Sequence, residues 1–352
     1  MAVSDGRGEV SATVVHPAVD GERCVHGALP AASCRACAAI CPTSAFVLDE
    51  DGLTFDADVC DGCGLCVGAC PQEAIDLGAR LHPLIRPVRG VSTAFLACDA
   101  VARGNEPGQV ACLHGVGLPE LARCHARGAH AFALARGDCR SCARNSSATI
   151  DDRIQQVSRL TLDRGLPSIA ARYLPIGAWR EERDEAAIMS RRSLFRAALK
   201  PEAKAPPAAA VLAPGVPAGV VLARREAATM ALMAPIIDGA TCTACGACVE
   251  VCPHRVLSFK TLDTGAAYEV DATACTGCGM CVDACDVDAV TLQAPASARP
   301  PPVVLDKARC RHCGVVFYRT SGHSGGVAAT DVQLCRICAK HPHHKSLYQV
   351  LP

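Results

Sequence analysis

Between residues 91 and 176 the chain alternates compact apolar runs with amphipathic stretches. Residues 92–98, 109–112 and 131–135 are apolar runs of strand length, and residues 119–127 read as a helix closed by Gly128. Ile150, Ile154, Val157 and Leu160 then mark one face of a second helix. Strands alternating with helices predict an α/β unit with a parallel sheet over residues 88–178. Cys98 and Cys112 close two of the strands, and Cys139 and Cys142 follow the third, at the carboxyl edge where ligands collect in such sheets.

Outside this region the periodicity is weak and cysteine sets the pattern. Residues 241–286 hold Cys242, Cys245, Cys248 and Cys252-Pro253, then Cys275, Cys278, Cys281 and Cys285-Asp286. Two-residue gaps let three thiolates converge on one iron cube, while the fourth cysteine serves the cube of the other half. The spacing therefore predicts a crossed assignment: Cys242, Cys245, Cys248 and Cys285 for one [4Fe-4S] cluster, and Cys275, Cys278, Cys281 and Cys252 for the second. A pair of zinc knuckles is the weaker account, since zinc closes with four ligands and has no use for a third evenly spaced step. The segment, taken as residues 236–294, resembles a bacterial-type two-cluster ferredoxin. It departs from that family at Cys285-Asp286, where the family has Cys-Pro.

Residues 22–80 repeat the theme with an enlarged first gap. Nine residues separate Cys24 from Cys34, followed by Cys37 and Cys41-Pro42; the second run is Cys60, Cys63, Cys66 and Cys70-Pro71. Loop closure costs grow slowly with length, so Cys24 remains a ligand. The crossed rule assigns Cys24, Cys34, Cys37 and Cys70 to one cube, and Cys60, Cys63, Cys66 and Cys41 to the other. Small residues crowd these cysteines and let backbone amides reach the sulfurs. After the fourth cysteines, Glu73-Ala-Ile-Asp-Leu and His254-Arg-Val-Leu-Ser-Phe read as short helix-to-strand passages.

The α/β segment resembles the delta-type iron–sulfur subunit of methyl-viologen-reducing nickel–iron hydrogenases, which relays electrons toward heterodisulfide reductase. The matching residues are Phe95 with Cys98, Val110 to Cys112 followed by Gly115, Glu120-Leu121, Arg127 to Ala129, and Gly137-Asp138-Cys139 with Cys142 and Asn145. The resemblance implies a [2Fe-2S] cluster on Cys98, Cys112, Cys139 and Cys142. Cys124 is a fifth thiol able to replace one of the four, and structural cysteines or a zinc site are the competing account. His114, His125 and His130 lie nearby and are read as ordinary histidines rather than ligands.

Residues 179–235 are expected to form a linker, charged and helical from Trp179 and rich in Ala and Pro over 201–223. Within it, Ser190-Arg-Arg-Ser-Leu-Phe195 resembles a twin-arginine export signal, but lies some 190 residues from the start, so a docking helix or basic turn is preferred. Residues 303–352 carry Cys310, Cys313, Cys335 and Cys338, two knuckles 21 residues apart that suit a four-thiolate zinc ribbon, with rubredoxin-type iron the alternative. Residues 316–319 and 346–351 would be its strands, and the His341 to His344 tail is most simply solvated. The fold class is thus α+β multi-domain, with two ferredoxin-like dicluster domains, a central parallel-sheet domain and a small C-terminal zinc ribbon.

Composition narrows the function. The 35 basic and 35 acidic residues balance, and aromatic residues are 3% of the chain, which speaks against nucleic-acid partners. The 25 cysteines in repeated Cys-x-x-Cys steps fit thiolates held for metals in a reducing cytoplasm rather than a disulfide scaffold. Residues 1–21 are polar, read as a flexible start with no export core, and no apolar run is long enough to insert in a membrane. No complete phosphate loop, dinucleotide glycine motif or paired acid and base is visible, so no catalytic residue is assigned. The expectation is an iron–sulfur electron-transfer subunit working with a redox enzyme subunit that carries the catalytic cofactor, of hydrogenase, dehydrogenase or heterodisulfide-reductase type. An iron–sulfur and zinc assembly or interaction protein is the alternative. Four [4Fe-4S] clusters, one [2Fe-2S] cluster and one zinc would use 24 of the 25 cysteines, leaving Cys124.

Overall fold

The computed structural model describes residues 15–49, 52–77, 92–104, 106–197, 212–263, 265–320 and 334–340, with the backbone alone over 189–197. The expectations for most of residues 1–21, for 201–211, for the histidine tail and for a strand at 346–351 lie outside these residues. The twin-arginine-like run falls in a helix whose side chains there are not described.

The first cysteine-rich segment is built from short pieces: β1 (Ala18–Val19), α1 (Val25–Ala28), α2 (Ala36–Ile40), β2 (Phe46–Asp49), β3 (Gly52–Phe55), α3 (Leu65–Ala69) and β4 (Ile75–Asp76). β1 pairs antiparallel with β4, and β2 with β3, where Phe46 sits opposite Phe55. Helices of four or five residues are far below the length that is stable alone, so tertiary contacts must hold them.

The α/β region follows as β5 (Thr93–Cys98), β6 (Gln109–Val110), α4 (Leu118–Ala126), β7 (Ala131–Ala135), α5 (Ile150–Asp163), β8 (Ala170–Tyr173) and α6 (Ile176–Ala197). The sheet order is β6-β5-β7-β8, all parallel, as the apolar runs predicted. α4 carries Pro119 in its first turn, where a missing N–H costs nothing, and α5 opens on a Thr149–Asp152 capping box. β8 escaped the sequence reading because all four of its residues are exposed and show no apolar pattern.

Alternate positions of the sheet face different layers. Ala94, Leu96, Cys98, Phe132 and Leu134 join the helices α4 and α5 in the main core, together with Phe46, Cys66 and Ile75 of the first segment. Phe95, Ala97, Ala133 and Ala135 face the other way and pack on Trp179 of α6. Trp179 is fully buried and its Nε1 donates to the Ala133 carbonyl at 3.0 Å. The expectation of a linker from residue 179 is therefore corrected. The charged residues after Trp179 are the outer face of a helix whose inner face closes the sheet, and the alanines opposite are small because the indole fills that layer.

Beyond residue 212 the chain continues through α7 (Ala218–Val221), β9 (Met230–Ala231), β10 (Ala234–Ile237), α8 (Ala247–Glu250), β11 (Leu257–Thr261), β12 (Gly265–Val270), α9 (Met280–Asp283), β13 (Val290–Gln293), β14 (Ala296–Ser297), β15 (Val303–Arg309), β16 (Val316–Thr320) and α10 (Arg336–Lys340). Val221 and Leu222 are buried in the main core and β9 pairs with β14, so residues 212–235 are also packed rather than linking. β10 pairs with β13, and β11-β12-β15-β16 form one antiparallel sheet. The strand expected at 316–319 of a separate C-terminal ribbon thus joins, through β15, a sheet that extends the second segment's hairpin. Gly265 permits the junction, since a Cβ there would meet the Leu305 carbonyl oxygen at 2.3 Å.

Candidate metal centres

The fourth cysteine of every run ends in the same turn. Three residues on, the backbone enters the left-handed region at Ser44, Glu73, Arg255 and Asp288, with φ of 56, 48, 51 and 53°. None of these residues is glycine, so each turn carries strain that its surroundings must offset. A hydrogen bond to sulfur does so: the amides of Ala45, Ala74, Val256 and Ala289 donate to Sγ of Cys41, Cys70, Cys252 and Cys285 at 3.3, 3.3, 3.3 and 3.2 Å. The turn at Cys285 is kept although Asp286 replaces the usual proline. Asp286 instead pairs with Arg336 at 3.6 Å and Lys340 at 3.2 Å on α10.

The other three cysteines of each run sit around a one-turn helix. Gly64, Gly246 and Gly279, with φ of 75, 81 and 84°, start α3, α8 and α9 in a conformation open to glycine. The first run lacks this glycine, and α2 starts instead from Arg35 at a negative φ of −126°.

Thiols from the two runs of each segment lie within electrostatic reach of one another. Cys34, Cys37 and Cys70 act electrostatically on one another, and Cys24 acts on Cys34 and Cys70. Cys66 feels Cys63, Cys41 and Cys60, and more weakly Cys37. Cys248 feels Cys242, Cys245 and Cys285, and Cys281 feels Cys278, Cys275 and Cys252, and more weakly Cys248. In the α/β region Cys112 and Cys139 each feel Cys98 and Cys142. These last four line one cavity of about 330 Å³ together with Arg144 and His114.

Burial, above all, pushes the thiols of Cys37, Cys112, Cys248 and Cys275 up to about 11, and those of Cys63, Cys66 and Cys281 up to about 12. Buried thiols crowded in fours are ill placed to ionise alone, and cations binding among them supply the missing compensation. Cys41 differs: burial opposes ionisation, but donors from Thr43, Ala45 and Phe46 outweigh it and hold the thiol low.

The C-terminal four are spaced for a single ion. The sulfurs of Cys310, Cys313, Cys335 and Cys338 all lie within 4.8 Å of one another, and Cys313 Sγ stands 3.8 Å from Cys335 Sγ. A tetrahedron with metal–sulfur bonds of about 2.3 Å separates its corners by about that much. Cys310 is buried, yet the amides of Cys313, Cys335 and His312 hold its thiol down at about 6.

Cys124 stays outside every group. It is fully buried on α4, where burial pushes its thiol to about 12. His114 and His125 have structural partners, His114 Nδ1 accepting from the Ile150 amide at 3.1 Å and His125 Nε2 meeting the Pro167 carbonyl at 2.8 Å.

Sequence reasoning missed the polar residues that fasten the groups to one another. Arg144 donates from Nε to Asp61 Oδ2 at 2.7 Å and from Nη1 to the Ala111 carbonyl at 3.1 Å, joining the α/β cysteines to those of the first segment. Gln72 meets Thr276 and His254, more than 180 residues away. Their only sequence signal is that they stand one or two places from a cysteine.

Comparison with known proteins adds two family matches. Residues 234–286 match the 4Fe-4S dicluster domain and residues 53–76 the 4Fe-4S binding domain. Pyruvate synthase subunit PorD of Thermotoga maritima is 35% identical over 66 residues, 18% of this chain and 59% of that protein. PorD of Methanocaldococcus jannaschii is 38% identical over 60 residues, 17% of this chain and 62% of that protein. Polysulfide reductase B of Wolinella succinogenes is 35% identical over 77 residues, 20% of this chain and 35% of that protein. The chain thus spans less than two thirds of the length of these relatives. Among the described residues no helix is long and apolar enough to cross a membrane. The geometry and the matches agree that two segments of the chain are ferredoxin-type 4Fe-4S segments of the electron-transfer kind.

Proposed function

We propose that this chain is the iron–sulfur relay subunit of an oxidoreductase complex, passing electrons to or from a subunit that holds the catalytic cofactor. The observation that carries this reading is the fourfold turn: four fourth cysteines, each receiving an amide N–H on sulfur and each within electrostatic reach of thiols of the opposite run. Loaded with four [4Fe-4S] clusters, such sites supply one-electron redox steps. The protein's own residues fix the thiolates, exclude water by burial and donate hydrogen bonds to sulfur, which are the levers that set a potential. Each cube has four thiols, so no iron corner is left for substrate.

For the α/β region we assign Cys98, Cys112, Cys139 and Cys142 to a [2Fe-2S] cluster. The support is the resemblance to the delta-type hydrogenase subunit, joined by the single cavity that all four thiols line. For the C-terminal four we assign one zinc, on the tight sulfur spacing. The relatives are subunits named for pyruvate synthase and polysulfide reductase, and a partner of that oxidoreductase class fits this chain.

Metal and sulfide analysis of anaerobically purified protein tests the assignment. About eighteen irons and one zinc per chain are expected from these ligand sets. About sixteen irons would remove the [2Fe-2S] assignment, and a colourless protein holding zinc alone would overturn the relay.

A further inference from the structure

Each thiol group packs against a neighbouring one. Cys112 of the α/β region packs with Cys63 and Leu65 of the first segment, and Arg144 ties the same two regions. Cys66 and Cys37 of the first segment share one core. Cys281 and Cys248 of the second segment share another.

The boundary that neither ferredoxin-type segment predicts alone is the one between them. Cys34 and Cys278 pack there with Val25, Ala32 and Met280 in an apolar patch, with the Asp283 carboxylate at its edge. Two polar clamps fasten it. Ser33 donates from both its amide and its hydroxyl to Asp283, each at 2.8 Å. Gln72 donates to Thr276 Oγ1 at 3.1 Å and accepts from His254 Nε2 at 2.8 Å. Gln72, Thr276 and His254 stand beside Cys70, Cys275 and Cys252, so this clamp sets the two inner groups directly against each other. Cys245 of the Cys242 group is exposed, and Cys139 and Cys142 of the Cys98 group are half-buried, as are Cys34 and Cys278 at the boundary.

We propose that the Cys34–Cys278 contact is the crossing of a single intramolecular electron path. Its order runs from the Cys98 group through the Cys41 group to the Cys24 group, then across to the Cys252 group and out through the Cys242 group. The inference rests on the relay reading. Each step oxidises one site by one electron and reduces the next by one, with no bond made or broken and no proton moved. A reduced one-electron carrier, iron–sulfur or flavin, supplies the electron at one end, and an oxidised one takes it at the other. Neither has to dock between the two segments, because the apolar patch already fills that place.

The full-length chain, loaded anaerobically and reduced with dithionite, is tested by low-temperature electron paramagnetic resonance with iron counted on the same sample. Wild-type protein is expected to show spin coupling between the two segments as well as within each. Cys278→Ala is expected to abolish the inter-segment coupling while the first segment keeps its own internal coupling. Asp283→Ala, which removes the Ser33 clamp and a charge beside Cys34 but no thiol, is expected to weaken the inter-segment coupling with iron content unchanged. A first-segment spectrum identical in wild type and Cys278→Ala, with four cubes present in the wild type, overturns the crossing and leaves the relay standing. Wild-type protein without that iron overturns both.

Discussion

The two ferredoxin-type segments each reach the same pair of turns from different surroundings. The second has its own core, built from Ile237, Val256, Leu257, Tyr268 and Val290 around its cysteines, and extended by Leu305 of β15. Among the described residues, the main apolar side chains of the first form no separate core. Its Phe46, Cys66, Val67 and Ile75 share one cluster with the sheet and helices of the α/β region. The family matches follow the same division, a full dicluster match for the second and a single 4Fe-4S binding domain over 53–76 for the first. The nine-residue gap after Cys24, and the lack of a left-handed glycine before α2, are where the first segment departs from the regular pattern. A run that loses its local turn chemistry is held by what packs against it.

Arg123 offers the largest test of that contrast. It is buried between Glu73 and Glu120, and the same Glu73 accepts from the Gly215 amide at 2.8 Å. Removing one partner of a buried charge cluster costs about 3–5 kcal/mol. Arg123→Ala is therefore expected to lower the stability of the first segment by that order in denaturant titration, and to lose iron from the Cys24 and Cys41 groups while the second segment keeps its own.

Gly265→Ala aims at the second segment's extension. A Cβ meeting the Leu305 oxygen forces β15 away from β12, a repacking cost of about 1–3 kcal/mol. Loss of the metal assigned to the C-terminal four, with the iron of residues 234–286 retained, is the expected outcome; equal loss of both would show that the second segment does not stand alone.

Glu106 probes the α/β scaffold on which the first segment leans. Its carboxyl is held at about 2, first by the Arg180 hydrogen bonds and then by Arg183. Since the folded value lies below the ordinary 4.5, this contribution is complete above about pH 4.5 and is lost as pH falls toward 2. Glu106→Gln is expected to remove about 1 kcal/mol at neutral pH and flatten that acid limb, read from the fluorescence of Trp179, the one tryptophan of the chain.

Asp286→Ala should be the mildest change. Its pairs with Arg336 and Lys340 are exposed, so a loss of under about 1 kcal/mol is expected. Retention of the Cys285 turn and its cluster, judged by iron content, would show that the residue in proline's place serves α10 rather than sulfur.

Much of this was legible in the residues. Apolar runs of strand length marked β5, β6 and β7, and the spacing of Ile150, Ile154, Val157 and Leu160 marked α5, because these periods follow from local backbone geometry. The exposed strand β8 was not legible, since nothing in its side chains needs a core. Trp179 was misread with its charged neighbours because a single buried face on a polar helix shows only when the layer it fills is known.

Which cysteines can gather into one group is written in their spacing, because gaps of two and three residues set where successive sulfurs can point within a turn. Which group faces which is a property of the folded molecule alone. Ser33 and Asp283, or Gln72 and Thr276, are separated by hundreds of residues, and no local rule relates them. Their meeting depends on how whole segments pack, a balance of many weak apolar and polar contacts summed over surfaces that no short motif records.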